Sequence, residues 1–258
     1  MPNNYHQYIE DVSDDIKTCL EGMGCQPILF VGSGLTKRYL SGPNWEELLQ
    51  QLANECPNID KRFAYYKQKY PELIDIGSVF SDSYNEWAWG DGESNFPAEL
   101  FEAGNEPSIY FKHKISSVFN SLLQEKEIVD NGEIELLRKI HPHSIITTNY
   151  DKLLESIYPE FTPIVGQKIL YANHGSIGEI LKIHGCCSTP RSIIINRDDY
   201  DDFIKKKKYL SAKLLTFFAE HPLLFIGYSA EDSNKKIYYL ILMNYFQKME
   251  MSFPIYIF

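Results

Sequence analysis

Pro27-Ile28-Leu29-Phe30-Val31-Gly32-Ser33-Gly34-Leu35-Thr36 is the stretch whose reading decides the fold. Four apolar residues run straight into Gly-Ser-Gly, and a helix signal follows. This is the pattern of a buried parallel strand that turns sharply. Two residues without a Cβ let a ligand approach main-chain N–H groups, and the usual ligand at such a turn is a phosphate. The full G-x-G-x-x-G is absent, because Lys37 stands where the third glycine would be. Alone, the stretch would favour the plainer reading, a tight strand-to-helix turn that holds nothing.

Three further apolar runs end in the same way. Ser144-Ile145-Ile146-Thr147 leads into Thr148-Asn149-Tyr150-Asp151, Ile180-Leu181-Lys182-Ile183 into His184-Gly185, and Leu223-Leu224-Phe225-Ile226 into Gly227-Tyr228-Ser229. In open α/β sheets the ligand lies outside the carboxyl ends of the strands. Four such strands would build one site from distant pieces of chain. The expected fold class is α/β: a Rossmann-like central parallel sheet with helices on both faces and a helical insertion.

Composition narrows the function classes. The chain has 258 residues, 44% hydrophobic and 23% charged, which suits a folded domain with a substantial core. Its net charge of −10 argues against broad binding to a nucleic-acid backbone. The run Lys205 to Lys208 reads as a solvated face or loop. Five cysteines without regular spacing (Cys19, Cys25, Cys56, Cys186 and Cys187) fit free thiols in a reducing compartment, and no paired C-x-x-C suggests a zinc module. No metal is expected. The polar, acidic start is unlike a signal peptide, and no apolar run reaches membrane-spanning length, so a cytoplasmic protein is expected. The closing run Phe253-Pro254-Ile255-Tyr256-Ile257-Phe258 suggests either the N-terminal part of a longer protein or a last edge strand.

Periodicity supplies the remaining elements. Tyr8, Ile9, Val12, Ile16 and Leu20 share one helical face, and Gly22 and Gly24 end that helix. Asn44-Trp45-Glu46-Glu47 has the form of a capped helix start, and Pro57 marks the far end. Strand signals vanish from Cys56 to about Lys139. Ile109, Phe111, Ile115, Val118, Phe119 and Leu122 fit a helix there, and Asn85 to Pro107 reads as a loop or short helices. Trp87 and Trp89 are expected to pack this region onto the core. The expected organisation is one domain over 1–258, with a core at about 22–55 and 140–258 and a helical insertion at about 56–139. Ser192-Ile193-Ile194-Ile195 reads as a further strand. One or two helices follow over Tyr200 to Phe218, and a last helix over Asp232 to Tyr245.

In order, the motifs are Gly32-Ser33-Gly34-Leu35-Thr36, Thr147-Thr148-Asn149-Tyr150-Asp151, Lys182-Ile183-His184-Gly185, Asn196-Arg197-Asp198-Asp199-Tyr200, and Gly227-Tyr228-Ser229 with Asp232. The series resembles the sirtuin-like family, distant relatives of the sirtuin deacetylases. Those carry Gly-Ala-Gly-Ile-Ser, Thr-Gln-Asn-Ile-Asp, His-Gly and Gly-Thr-Ser in the same order. The departures point within the family. Thr148 stands at the sirtuin glutamine, the zinc-holding cysteine pairs are missing, and the Gly-Ile-Pro-Asp-Phe-Arg segment is reduced to Gly42-Pro43-Asn44-Trp45. These features resemble the sirtuin-like effector domains of bacterial anti-phage systems, whose family activity is NAD⁺ hydrolysis. The resemblance implies NAD⁺ as substrate and a homo-oligomer. It also implies a C-terminal sensor region or a partner such as a HerA-type ATPase or a phage trigger, with no direct nucleic-acid or membrane contact.

Cleaving NAD⁺ between ribose and nicotinamide requires a fixed ribose, one admitted water and a proton acceptor. His184 suits the proton step, because imidazole titrates near working pH. Asn149 offers a neutral donor and acceptor to orient a hydroxyl or water. Asp151, by the resemblance, lies near the nicotinamide pocket. Gly32, Ser33, Gly34 and Thr36 would meet the diphosphate, with Thr148 beside them. Gly227, Ser229 and Asp232 would lie near the adenosine half. Plainer readings stand beside these. Asn149 or Asp151 can cap the helix suggested by Asp151 to Tyr158, Asp232 can cap the last helix, and Ser229 can be a turn residue. His141, His143 and His174 read as structural, and Cys186 and Cys187 as small buried residues. Two other functions fit the same motifs: an NAD- or ADP-ribose-binding assembly module without turnover, and a sirtuin-type deacylase or ADP-ribosyltransferase.

Overall fold

The run Ile28–Val31 is a strand, β1, with all four residues buried. A strand hidden on both faces has no polar alternation, which is why it reads as an unbroken apolar run. The computed structural model describes residues 3–125, 132–166, 177–206, 220–228 and 256–257. Within them β1 joins a six-stranded sheet with β2 (Ser144–Thr147), β3 (Thr162–Val165), β4 (Glu179–Lys182), β5 (Leu223–Ile226) and β6 (Tyr256–Ile257). The strand order is β3-β4-β2-β1-β5-β6 and every pairing is parallel. Val31 lies beside both Thr147 and Ile226, and Thr147 beside Lys182. The chain therefore leaves four neighbouring strands along one edge. This is the Rossmann-like α/β arrangement expected from the sequence.

The described helices are α1 (Asn3–Met23), α2 (Ser33–Leu40), α3 (Trp45–Glu55), α4 (Phe63–Lys69), α5 (Leu73–Ala88), α6 (Ile109–Glu125), α7 (Glu133–Lys139), α8 (Leu153–Ile157) and α9 (Arg197–Lys206). Leu29, Val31, Ile145, Ile180 and Leu224 on one sheet face pack with Leu35 and Leu40 of α2, Ile134 of α7, and Leu153 and Ile157 of α8. On the other face Ile28, Phe30, Ile146, Leu181 and Phe225 are also buried, and Phe30 stacks on Phe225 at 5.1 Å. A second core joins α3, α5 and α6 through Leu49, Leu52, Phe80, Tyr84, Phe111 and Ile115. The start of α3 carries the expected capping box. Asn44 Oδ1 accepts the Glu47 N–H at 2.8 Å, and a Glu47 carboxylate oxygen accepts the Asn44 N–H at 2.9 Å.

Several expectations are corrected. Ser192–Ile195 is not a strand: a single 3₁₀ turn spans Pro190–Ser192, and the isoleucines run on extended without a ladder. The run is apolar because Ile193 and Ile195 enter the helical core. β3 is an edge strand with exposed Thr162 and Pro163, and such a strand carries little hydrophobic signal. β4 ends at Lys182, and the Ile183 N–H still donates to the Thr147 carbonyl at 3.0 Å. α5 extends to Ala88, beyond the expected loop boundary, before short 3₁₀ turns at Glu93–Asn95 and Ala98–Phe101. Trp87 is buried in the helical core, whereas Trp89 is exposed. On α1, Ile16 packs against the sheet-side core but Tyr8 and Ile9 are exposed, so only part of the expected face is covered. Gly22 lies inside α1, and Gly24, at φ +61°, follows its end. Ser229, Asp232, His174, the helix expected over Asp232 to Tyr245 and the stretch from Leu210 to Phe218 lie outside the described residues.

Candidate active site

The loops after β1, β2, β4 and β5 meet around a cleft of about 630 Å³, within the size range of small-molecule and cofactor sites. Ser33, Gly34 and Thr36 line it from α2, Thr148 to Asp151 from the β2 loop, His184 from the β4 loop, and Gly227 and Tyr228 from the β5 loop. Trp45, Glu46 and Phe119 complete the wall.

The glycine turn is shaped first by the protein's own backbone. The Gly32 N–H donates to the Ile226 carbonyl at 2.9 Å, and the Gly34 N–H to the Gly227 carbonyl at 2.8 Å. A Cβ on Gly32 or Gly34 would lie 2.7 Å from the Gly227 oxygen, and Gly227 itself sits at φ +74°. The close approach that requires glycine here is therefore that of the β5 loop. Both N–H groups expected to meet a diphosphate are already engaged.

Beneath the turn lies a closed polar network. Asn149 Nδ2 donates to the Gly32 carbonyl at 2.9 Å and to Thr36 Oγ1 at 3.0 Å. The Thr36 hydroxyl donates in turn to Asp151 Oδ2 at 2.6 Å, while Asp151 Oδ1 accepts the Leu153 N–H at 2.8 Å at the start of α8. Thr147 Oγ1 donates to the Val31 carbonyl at 2.8 Å and accepts the Asn149 N–H at 3.0 Å. Asp151 thus both accepts the first N–H of α8 and anchors Thr36, with each carboxylate oxygen engaged. The Asn149 carboxamide has its nitrogen committed, and among the described residues its Oδ1 has no hydrogen bond. Thr148 Oγ1 lies 3.1 Å from Tyr228 Oη, linking the β2 and β5 loops.

His184 enters from the β4 loop and is buried. Tyr200 and Phe203 of α9 meet its ring edge-on, with centroids at 5.9 and 5.6 Å, and fix its plane. Gly185 follows at φ +98°, and a Cβ there would lie 2.2 Å from the Ser192 carbonyl oxygen. The His-Gly pair therefore reflects the close passage of the 192–194 segment, whose Ile194 N–H donates to the His184 carbonyl at 3.0 Å. Tyr150 reaches the same segment: its hydroxyl donates to the Ile194 carbonyl at 2.7 Å, and burial pushes the phenol up, so it stays a neutral donor. Cys186 and Cys187 are buried beyond the glycine. Their mutual hydrogen bond draws the Cys186 thiol down, assisted by Lys182, and pushes the Cys187 thiol up.

The structure thus brings Ser33, Gly34, Thr36, Thr148, Asn149, Asp151, His184 and Gly227 to one cleft, while Gly32 does not line it and is hydrogen-bonded through its carbonyl to Asn149. Lys182 and Glu155, which buttress the β2 loop from below, were not among the sequence candidates. Among the described residues no group of three or more His, Cys, Asp or Glu is placed to hold a metal ion, and no helix is long and apolar enough to cross a membrane.

The sheet is Rossmann-like, and its cleft lies across the carboxyl ends of the central strands, where open α/β domains hold their ligands. Residues 143–243 match the family model of the SIR2-like domain. It is 26% identical over 179 residues to defense-associated sirtuin 2 of Bacillus subtilis, an alignment covering 66% of this chain and 17% of that protein. It is also 26% identical over 123 residues to the NAD(+) hydrolase ThsA of Bacillus cereus (strain MSX-D12), covering 45% of this chain and 25% of that one. The chain therefore matches a quarter or less of the length of either relative.

Proposed function

We propose that this chain hydrolyses NAD⁺ at the nicotinamide–ribose bond, giving ADP-ribose and nicotinamide, and that it serves as a cytoplasmic NAD⁺-depleting effector in anti-phage defence. The observation that carries the reading is the arrival of Asn149 and His184 at one cleft of dinucleotide scale beside the β1 turn. Likeness to a defence sirtuin and to a named NAD⁺ hydrolase supports the substrate and the setting. The charge balance of −10 argues against nucleic acid as the substrate.

The chemistry follows from the groups present. The C1′–N bond breaks with its electron pair passing to the nicotinamide nitrogen, and the ribose carbon becomes cation-like. Water adds to that carbon and loses one proton, so NAD⁺ and water yield ADP-ribose, nicotinamide and H⁺. Asn149 Oδ1 accepts from a ribose hydroxyl or from the water and orients it. His184 takes the proton as general base. Asp151 acts through Thr36, holding the Asn149 amide in place. Ser33 and the start of α2 face the diphosphate.

The test is nicotinamide release from NAD⁺ by the wild type, Asn149→Ala and His184→Ala, with thermal unfolding run in parallel. Each substitution is expected to lower release by at least about a hundredfold. Full activity in both variants would refute the site. A product of acetyl-ADP-ribose from acetylated peptide, without plain ADP-ribose, would replace hydrolysis by deacylation. Nucleotide binding without turnover in the presence of the neighbouring gene products would replace it by a binding module.

A further inference from the structure

Lys182 is the last residue of β4 and its side chain is almost wholly buried, at 1% exposure. A buried ammonium is costly unless paired and hydrogen-bonded. Lys182 Nζ donates to the Asp151 carbonyl and to Glu155 Oε1, the latter at 2.9 Å. Burial pulls the ammonium down and pushes the Glu155 carboxyl up, but at Lys182 the negative charge of Glu155, the Cys186 sulfur and Asp151 outweighs burial and holds the ammonium above its ordinary value. It is therefore charged at working pH. Glu155 contributes only one oxygen to the pair; among the described residues its Oε2 is buried without a hydrogen bond.

This arrangement is a poor way to gain stability. Replacing a buried ion pair with apolar residues of similar volume is often neutral or stabilising. The pair lies where it touches both arms of the cleft. Asp151, whose carbonyl it holds, is the residue that anchors Thr36 and through it Asn149. His184 follows two residues after Lys182 on the same chain segment. We infer that Lys182 is a positioning residue: its ammonium, countered by Glu155, locks the Asn149–Asp151 loop to the strand that delivers His184, and so sets the distance between the two arms of the site. The turnover consequence rests on the proposed hydrolysis; the locking of the loop does not.

The test is the Lys182→Met/Glu155→Leu double variant of the full chain beside the wild type and Lys182→Arg. Three quantities are read: thermal midpoint, amide hydrogen exchange over residues 148–153 without nucleotide, and nicotinamide release. The expected result is a midpoint equal to or above the wild type, exchange in the loop at least tenfold faster with β1 unchanged, and kcat at least tenfold lower. Lys182→Arg should recover part of both losses. Unchanged loop exchange overturns the inference, whether the midpoint holds or falls, because the pair would then be packing alone. Faster exchange with unaltered kcat in an active wild type overturns the positioning role. If the wild type releases no nicotinamide even with the neighbouring gene products present, the hydrolase reading fails, and the exchange comparison still decides the loop anchor.

Discussion

Two clefts flank the segment from His184 to Asp199, and they differ in kind. The larger, about 1180 Å³, lies among α5, α6 and α9 and is lined by Asp75, Lys112, Arg197 and Asp199. Two of its cations, Lys112 and Arg197, are matched by acids, and Arg191 donates to Asn105 Oδ1. Lys112 sits 2.5 Å from Asp199 and 3.2 Å from Glu106, and Arg197 lies 2.7 Å from Asp75 and 2.5 Å from Glu72. The smaller cleft, at the sheet edge, is built around Thr36, Asn149 and His184, and among the described residues Asn149 Oδ1 there remains an open acceptor. What separates the two is therefore not volume but how their polar groups are paired. Ion pairs closed on themselves brace the helices of the larger cleft. A buried polar network with one valence left over faces the smaller one.

The sharpest way to break this division is Lys112→Met. It leaves Asp199, whose side chain is 13% exposed, without its cation, and losing one partner of a buried pair costs about 3–5 kcal/mol. The loss should appear in chemical denaturation, with nicotinamide release per folded molecule largely kept. Lost turnover at full stability would make the larger cleft part of the site.

Thr36→Val tests the other side. The hydroxyl it removes joins Asp151 to Asn149 in the interior, and leaving those groups short of a partner costs about 1–3 kcal/mol. Because Asn149 loses an anchor, nicotinamide release should also fall at least tenfold, and Thr36→Ser should restore it. A stability loss with normal turnover would reduce the network to scaffolding.

The contrast also explains what could be read from the sequence. β1, β2 and β5 were legible because strands buried on both faces give unbroken apolar runs, and a parallel sheet then aligns their ends. The same signal misled at Ser192–Ile195, where Ile193 and Ile195 are buried by helices and not by a ladder. β3 escaped because its edge position leaves Thr162 and Pro163 exposed. Glycine at 32 and 34 was readable as a close approach, but the approaching group, the Gly227 backbone, lies almost 200 residues away along the chain. The burial of Lys182 and Lys112 has no signal in the sequence. Their acids at Glu155 and Asp199 come near only through the fold.

Arg197→Ala probes the exposed rim of the larger cleft. Its side chain is 40% exposed, so solvent screening limits its pairs with Asp75 and Glu72 to about 1 kcal/mol or less. Turnover should be unchanged. A loss above about 3 kcal/mol would show that these rim pairs behave as buried ones, and the description of the cleft as a braced scaffold would need its energies redistributed.

The smallest effect belongs to the capping box that borders the smaller cleft. The hydrogen bond from Lys37, and after it the Asn44 N–H, holds the Glu47 carboxyl below its ordinary range. A carboxylate lowered on folding stabilises the fold above its unfolded pKa of about 4.3, and that contribution is lost as pH falls through the lower folded value. Glu47→Gln keeps an acceptor for the Asn44 N–H but loses the pair with Lys37, whose partners are about half exposed. It should cost about 0.5 kcal/mol at pH 7. The difference from wild type should shrink as the pH is taken below about 4. A difference that stays constant across that range would mean the carboxylate charge contributes nothing at the start of α3, and that the box acts there through its hydrogen bonds alone.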